Sequence, residues 1–306
     1  MLELRMKPRT NSFRKFVSEY ARLFQSAKKL PLGCPKKYPR HPQVPDNAPK
    51  ALIFSPHPDD ECIVGGLALR LLREAKWNVI NVAVTLGGNP ARRQERFGEL
   101  LDACCCLLDF DLILAGLENI NPAGRKKRRA GWSAAVKTMA KFLLCHRPRV
   151  IFLPHENDGH PTHIGTHFLV VDALKTLPAG FKCHVVETEF WGQMTNPNLL
   201  VESGIKDVGD LVAALACHVG EVRRNAYHAR LPAWMMDNVR RGAELVGGPS
   251  PRRSGFVHAG GLGGAAPDFT FATLYRHRQW SRGRLTDVLK GRKFLSCSEN
   301  AAKLFG

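Results

Sequence analysis

The sequence predicts a mixed α/β fold, a Rossmann-like three-layer sandwich around a mostly parallel sheet. From residue 50 onward, short apolar runs alternate with amphipathic stretches, and this alternation is typical of βαβ units. The runs are apolar throughout, as expected for strands that are covered by helices on both faces. A chain of 306 residues is long enough to bury such a core. In sheets of this type, ligands bind outside the carboxyl ends of the strands.

The first part of the chain, residues 1–49, is predicted to be a basic N-terminal extension. Apolar residues recur at helical spacing after Ser12, and the pattern ends at Lys28 and Lys29, which predicts one amphipathic helix. The stretch that follows, up to Pro49, is rich in proline and lysine and is typical of an extended arm. Such a helix could contact a membrane or a partner, although packing on its own domain is the more common role of an apolar stripe.

Residues 50–306 are predicted to form a single α/β domain with a variable C-terminal part from about residue 190. Five strands are expected, at Ala51–Phe54, Val79–Val84, Leu112–Ala115, Val150–Leu153 and His184–Glu189. Helices are expected between them, at Ile63–Glu74, Ala91–Leu107, Ala130–Cys145 and His163–Leu177. Beyond residue 190 the pattern weakens. Two more helices are expected there at Leu211–Arg223 and Pro232–Glu244, and a long glycine-rich loop at Gly255–Asp268.

The composition excludes several classes of protein. With 44% hydrophobic and 24% charged residues, the chain has the balance of a soluble globular protein. It lacks an apolar run of about 18 residues, so no transmembrane helix is expected, and its N-terminus lacks the apolar core of a secretory signal. The predicted location is therefore cytoplasmic. The nine cysteines include no C-x-x-C pair, which argues against a structural zinc knuckle.

The net charge of +18 is the compositional outlier. It raises the possibility of binding to nucleic acid. However, the chain carries no nucleic-acid-binding motif, and its aromatic residues are not interleaved with the basic runs. We therefore favour a basic surface or a site for anionic substrates. The sequence leaves the oligomeric state open.

A first polar cluster, His57-Pro58-Asp59-Asp60-Glu61, follows the first predicted strand. Adjacent carboxylates repel one another, so such a group usually needs a cation or a proton to offset the cost. A capping role for Asp59 or Asp60 at the start of the next helix is the ordinary alternative. The histidine and the number of carboxylates favour a divalent metal.

A second cluster, from His155 to His163, follows the fourth predicted strand. His160 and His163 flank a Pro-Thr turn at the start of a helix, so both can face the same site. His155 and His167 are expected to have supporting or buried roles. Asp158 could orient a ligating or catalytic histidine, as carboxylates near metal sites often do.

The two clusters together predict one metal site at the carboxyl ends of the strands. A mixed set of imidazole and carboxylate groups suits zinc or another divalent first-row metal. Two histidines and one carboxylate leave positions open for water and substrate, as in catalytic sites. The remaining carboxylate of the first cluster could then act on the water.

These residues resemble the two motifs of the PIG-L/LmbE-like family of metal-dependent N-deacetylases. The usual family motifs are Ala-His-Pro-Asp-Asp-Glu and His-Pro-Asp-His, and Arg96-Phe97-Gly98-Glu99 is similar to the family's Arg-x-x-Glu helix after the second strand. The resemblance extends over about residues 50–220. This sequence departs from the pattern in having Ser55-Pro56 before the first histidine and Thr162 in place of the second motif's aspartate.

The resemblance implies a role for each matching residue. His57, Asp60 and His163 would be the zinc ligands. Asp59 would be the general base, and His160 would be the cationic group that stabilises a tetrahedral intermediate.

Four further residues are candidates for binding substrate. The resemblance implies that Arg96 contacts substrate, and it places His218 on a helix where the family can carry a histidine. Asn89 lies in the loop after the second predicted strand. Trp191 follows the fifth strand, where its aromatic face would suit a sugar ring, although it could equally be a core residue that covers the sheet.

The expected function is hydrolysis of an N-acetyl group from a small substrate, an amino sugar or glycoside of the N-acetylglucosamine type. Two alternatives remain open. One is a metal-dependent amidohydrolase that acts on an acyl amide outside sugars, and the other is a non-catalytic relative that binds a sugar or an anion.

Overall fold

A computed structural model describes residues 11–34, 44–45, 47–127, 130–246, 267–288 and 293–306. Within these ranges the strands are β1 Lys50–Ser55, β2 Asn78–Ala83, β3 Asp111–Leu114, β4 Val150–Pro154, β5 Cys183–Thr188, β6 Leu199–Glu202, β7 Ala272–Ser281, β8 Arg284–Asp287 and β9 Lys293–Leu295. They form one sheet in the order β3-β2-β1-β4-β5-β7-β6-β9, and β8 pairs with β7. The first five strands of this order are parallel.

One α-helix of the described ranges precedes the first strand, and the others lie between strands. The helices are α1 Phe13–Ala27, α2 Asp60–Ile63, α3 Gly66–Ala75, α4 Arg93–Leu101, α5 Pro122–Lys126, α6 Ala130–His146, α7 Pro161–Lys175, α8 Ile205–Cys217, α9 Val219–Arg224 and α10 Tyr227–Leu245. A 3₁₀ turn, Pro90–Arg92, precedes α4, a π-helical segment, Asp102–Leu108, follows it, and a second 3₁₀ turn lies at Ala301–Leu304. None of the helices in the described ranges is long and apolar enough to cross a membrane.

The side chains of β1 alternate between two hydrophobic layers. Ala51 and Ile53 pack with helices α3, α4 and α8 on one face of the sheet, whereas Leu52 and Phe54 pack with α6 and α7 on the other. All four are buried, which explains why the strand is apolar throughout rather than alternating. The predicted three-layer sandwich with a mostly parallel sheet is therefore confirmed.

The five predicted strands match β1 to β5, but the sheet is larger than expected. Strands β6 to β9 lie in the part of the chain where the pattern appeared to weaken. The long strand β7 pairs antiparallel with both β5 and β6, so it inserts between two strands that precede it in sequence. The helix expected at Leu211–Arg223 is divided into α8 and α9, and the one expected at Pro232–Glu244 starts earlier, at Tyr227.

Helix α1 confirms the predicted amphipathic helix but differs in its packing. None of its residues is buried. Phe24 and Ala27 alone are partly covered, where α1 contacts α10, so the expectation that the stripe packs on its own domain is wrong for most of its length. The proposed boundary between residues 49 and 50 remains a prediction, as does the single domain 50–306. Most of the expected loop at Gly255–Asp268 lies outside the described residues.

Candidate metal centre

The first polar cluster forms a tight turn at the carboxyl end of β1. A hydrogen bond and one unusual backbone angle define this turn. The backbone N–H of His57 donates to Asp60 Oδ2 at 2.8 Å, and Asp59 has a left-handed backbone with φ of 115°. Strand β4 lies next to β1, and its carboxyl end leads into the second cluster. The parallel pairing therefore brings together residues that are about a hundred positions apart in sequence.

Three ligand-type atoms converge where the two clusters meet. His163 Nε2 lies 3.3 Å from His57 Nδ1 and 3.4 Å from Asp60 Oδ2. His57 Nδ1 lies 3.6 Å from the same Asp60 oxygen. Ligands that surround zinc tetrahedrally with bonds of about 2.0–2.2 Å are about 3.3–3.6 Å apart. The three atoms therefore have the spacing of three corners of a zinc site.

The surroundings of these atoms also fit a cation. The buried Asp60 Oδ1 has no hydrogen-bond partner, which is costly for a carboxylate oxygen unless a cation is nearby. Burial raises the pKa of Asp60, but His163 and His57 outweigh it and hold that pKa below its ordinary value. Asp60 is therefore ionised and available as a ligand. The donor set of two imidazoles and one carboxylate suits zinc or a similar divalent metal.

Asp158 faces the far side of the His163 ring. Its Oδ1 lies 3.0 Å from His163 Nδ1, and its Oδ2 accepts the backbone N–H of Phe190 at 2.9 Å. A carboxylate at this position favours a proton on Nδ1, which leaves the Nε2 lone pair directed toward Asp60 and His57. This position is compatible with the orienting role expected of Asp158, which remains a prediction.

Asp59 is buried next to the triangle of His57, Asp60 and His163 atoms, but it is not one of the three residues that form this triangle. Its side chain makes no capping hydrogen bond to α2, so the capping alternative does not describe it. Burial, and then the charge of Asp60, raise the pKa of Asp59 well above its ordinary value. A carboxyl group with a raised pKa is suited to take up a proton during a reaction.

His160 lies at the mouth of the site and caps α7. Its Nδ1 accepts the backbone N–H of Thr162 at 3.2 Å, and its ring centroid is 5.0 Å from that of His57. Burial, and then the neighbouring His57 and His163, lower the pKa of His160. The structure therefore favours a neutral ring with its proton on Nε2 rather than the cation implied by the resemblance. The Nε2–H group can still donate a hydrogen bond.

His160 also raises a second possibility for the metal ligands. Ligand-type atoms of His57, His160 and His163 all lie within 4.8 Å of one another. We favour the set with Asp60, because its three atoms have the spacing of zinc ligands and because its carboxylate would offset the charge of the cation.

Glu61 is a buried carboxylate that accepts hydrogen bonds from three groups next to the site. Its Oε2 accepts the backbone N–H of Asp59 at 3.0 Å, and its Oε1 accepts from His218 Nε2 at 2.7 Å and from the Cys62 thiol at 3.3 Å. All three side chains are fully buried. Glu61, Cys62 and His218 carry ligand-type atoms, but these atoms already bond to one another and to the Asp59 loop, so we interpret the group as structural.

Removal of Glu61 should therefore weaken the fold. We expect Glu61→Ala to lower the free energy of unfolding by about 3 kcal/mol, because it leaves His218 and the Asp59 N–H buried without their partner. Urea denaturation monitored by circular dichroism measures this change. Glu95→Ala is the matched control, since Glu95 is mostly exposed and pairs with Arg92 at the surface, and it should cost at most about 1 kcal/mol. Equal effects of the two substitutions would contradict the interpretation.

The Arg-x-x-Glu segment bonds to the loop of the first polar cluster and to the start of α9. Arg96 Nη2 donates to the carbonyl oxygen of Pro58 at 2.9 Å, and Glu99 Oε1 accepts the backbone N–H of Gly220 at 2.8 Å. Arg96 is buried, and its guanidinium is held by the loop of the first polar cluster. His218 is also buried, so neither of these two predicted substrate contacts is freely exposed. Their direct contact with substrate remains a prediction.

A cavity of about 390 Å³ opens beside His57. The loops after β2 and β3 form its walls, together with Thr162, and its size is suitable for a small molecule. Asn89 belongs to the first of these loops, where its side chain accepts the N–H of Ala91 at 3.0 Å. The cavity thus lies at the expected carboxyl edge of the sheet.

Trp191 forms an exposed aromatic surface at the site. It is 51% exposed, and its ring centroid lies 5.9 Å from His160. Behind it, Phe190 is buried with a centroid distance of 4.9 Å. Of the two roles considered for Trp191, a core residue that covers the sheet is therefore excluded. Tyr227, which sequence analysis missed, lies 6.3 Å from Trp191 between ring centroids.

Comparison with protein families gives a match for part of the chain. Residues 52–174 match the PIG-L family model, described as GlcNAc-PI de-N-acetylase. The match covers less than half of the chain, and this part of the chain is similar to that family. The matched segment contains both polar clusters and ends within α7, so it is shorter than the expected resemblance over about residues 50–220. Comparison with curated protein sequences gives no match.

Several solved structures share the fold of this protein. N,N'-diacetylchitobiose deacetylase from Pyrococcus horikoshii is 15% identical, with a TM-score of 0.52 over 89% of this chain and 94% of that chain. The A40926 pseudoaglycone deacetylase Dbv21 is 13% identical, with a TM-score of 0.54 over 78% and 99%. The 4-carboxy-2-hydroxymuconate hydratase GalB from Pseudomonas putida is 16% identical, with a TM-score of 0.53 over 75% and 95%.

Proposed function

We propose that this protein is a zinc-dependent deacetylase that removes the N-acetyl group from an amino sugar. The observation that carries the proposal is the close triangle of His57, Asp60 and His163 with Asp59 beside it. This arrangement combines a three-ligand metal site with a separate buried carboxyl group, as amide hydrolysis assisted by a metal requires.

A divalent cation held by these three ligands would polarise the acetamide carbonyl and lower the pKa of a water molecule. Asp59 acts as the general base and removes a proton from the attacking water. The same carboxyl group then returns the proton to the amine nitrogen, which leaves as the C–N bond breaks. The products are acetate and the free amine.

His160 stabilises the negative charge that develops on the carbonyl oxygen. Because its Nδ1 accepts the Thr162 N–H, its Nε2–H is the group that points away from the helix and donates to this oxygen. A neutral donor in a partly buried site can fill this role, since oxyanion stabilisation depends on a preorganised dipole rather than on a full charge.

The neighbouring surfaces support a sugar as the substrate. Trp191 presents an exposed aromatic face beside His160, and an apolar face of this kind packs well against a sugar ring. The cavity beside His57 provides room for the rest of a small glycoside. Two proteins with this fold are named as an N,N'-diacetylchitobiose deacetylase and an A40926 pseudoaglycone deacetylase.

Another reaction of the same fold is the second candidate. GalB, whose name describes a hydratase, has a TM-score similar to that of the deacetylases, so the fold alone does not select between hydrolysis and hydration. The match of residues 52–174 to a de-N-acetylase family model favours deacetylation. A non-sugar acyl amide is a further alternative substrate.

The test is a screen of N-acetylated compounds with metal-loaded and metal-free protein. N-acetylglucosamine, N,N'-diacetylchitobiose and an N-acetylated benzylamine would be incubated with each form, and both free amine and acetate would be measured. We expect equal amounts of the two products from at least one sugar, loss of activity with chelator, and recovery with zinc. Activity on the benzylamide alone would favour the non-sugar amidohydrolase. Release of neither product by fully metal-loaded protein would contradict the proposal.

A further inference from the structure

Helix α1 exposes a continuous apolar surface that the proposed reaction does not use. Five of the twelve strongly exposed large apolar side chains in the described ranges lie in three consecutive turns of this helix. They are Phe13, Phe16, Val17, Tyr20 and Leu23, each at least half exposed. Such a cluster is unusual on a soluble protein and indicates an interaction surface.

The opposite face of α1 is cationic. Arg14, Lys15 and Arg22 lie there, with Glu19 as the helix's single acidic residue. The surrounding sequence has the same bias, since residues 1–49 contain eleven lysines and arginines against three acidic residues. An amphipathic helix with aromatic and leucine side chains on one face and basic residues on the other is typical of helices that lie in the surface of a membrane.

We propose that α1 docks this protein on an anionic membrane surface. The apolar side chains would enter the boundary between head groups and acyl chains, and the basic side chains would contact anionic head groups. A second copy of this chain is a poor alternative, because it would bring two strongly basic extensions together. Nucleic acid would satisfy the charges but would leave the apolar face exposed to water.

The attachment of α1 to the domain sets where the membrane would lie. Phe24, near the end of α1, has the guanidinium of Arg230 on α10 at 5.4 Å from its ring centroid. Tyr227, one turn earlier on α10, is the residue that faces Trp191. Helix α1 is therefore joined to the same end of α10 as the mouth of the candidate metal centre, so a membrane bound by α1 would lie close to that mouth.

Flotation of the full-length protein with lipid vesicles tests this proposal. Vesicles of phosphatidylcholine with 30% phosphatidylglycerol would be compared with pure phosphatidylcholine at physiological salt. We expect binding to the anionic vesicles to be at least about tenfold stronger, because several basic residues act together near the surface. The double variant F16S/L23S should lose about tenfold or more in affinity, because it removes two buried apolar groups from the bound state. Both residues are exposed, so the fold should be unchanged.

The matched control is the double variant L144S/I205S, which removes two exposed apolar side chains outside α1 and should bind as the unmodified protein does. A third variant, R14Q/K15Q/R22Q, should lose most of the preference for anionic lipid. Failure of the unmodified protein to float with anionic vesicles would overturn the proposal, as would equal binding by F16S/L23S. A dimer in size-exclusion chromatography that F16S/L23S abolishes, without vesicle binding, would identify a second copy as the occupant and also overturn it. Neither measurement depends on deacetylase activity.

Discussion

Replacement of Asp59 by asparagine should lower deacetylation turnover by about a thousandfold or more, while the protein keeps its metal. A positioned general base contributes about 10²- to 10⁴-fold, and an amide cannot accept the proton. Asp59 lies outside the triangle of His57, Asp60 and His163, so metal binding should be retained. Asparagine also tolerates positive φ, so the backbone at φ 115° can be preserved.

The assay would measure kcat and KM by amine release, with metal content by elemental analysis. Asp172→Asn is the matched control, because Asp172 is a partly buried carboxylate that pairs with Arg125 away from the site, and its activity should be unchanged. If D59N loses its metal, Asp59 is a ligand and the division of roles is wrong. Activity above about a tenth of the unmodified level would also contradict a role as general base.

The same variant should be more stable than the unmodified protein when both are free of metal. Burial and the charge of Asp60 raise the pKa of Asp59 in the folded state, whereas the unfolded chain has a pKa of about 3.9. The folded state therefore binds the proton more tightly, and stability falls as the pH rises from about 4 toward the raised pKa. Asparagine removes this penalty. Thermal unfolding at pH 7 in the presence of chelator should show a higher Tm for D59N.

Replacement of His163 by alanine should abolish metal binding. It removes one corner of the triangle and leaves two ligands, and it also leaves Asp158 without its histidine. Substitution of a residue that merely supports a ligand costs about 10- to 100-fold in metal affinity, so loss of the ligand itself should exceed this. After dialysis against metal-free buffer, elemental analysis should find the unmodified protein loaded and H163A essentially empty, with activity lost in proportion.

His160→Ala provides the informative comparison for this experiment. A ligand-type atom of His160 lies within 4.8 Å of those of His57 and His163, but in our interpretation His160 donates a hydrogen bond to the oxyanion. We expect H160A to keep its metal and to lose about 100- to 1,000-fold in kcat, as is typical for the loss of an oxyanion donor. Loss of metal by both variants would instead support a site built from the three imidazoles of His57, His160 and His163.

Much of the site could be predicted from sequence because the signals are local. Apolar runs predicted β1 and β4, and polar clusters at their ends placed His57, Asp60 and His163 at one edge of the sheet. The supporting partners could not be predicted in this way. Glu61 gave no indication that it would bond His218, and Tyr227 lies in a region where the pattern is weak. These contacts depend on how α8, α9 and α10 pack on the first cluster.

The sequence by itself determined the parallel α/β core, the two polar clusters and the residue types that suit a divalent metal, because strand burial and ligand chemistry act over a few consecutive residues. Only the tertiary structure decided that three particular atoms have the spacing of a zinc site, that Asp59 is buried beside them with a raised pKa, and that burial lowers the pKa of His160. Distances and desolvation depend on residues far apart in sequence. The structure also decided that α1 exposes its apolar face, since a stripe at helical spacing does not specify what covers it.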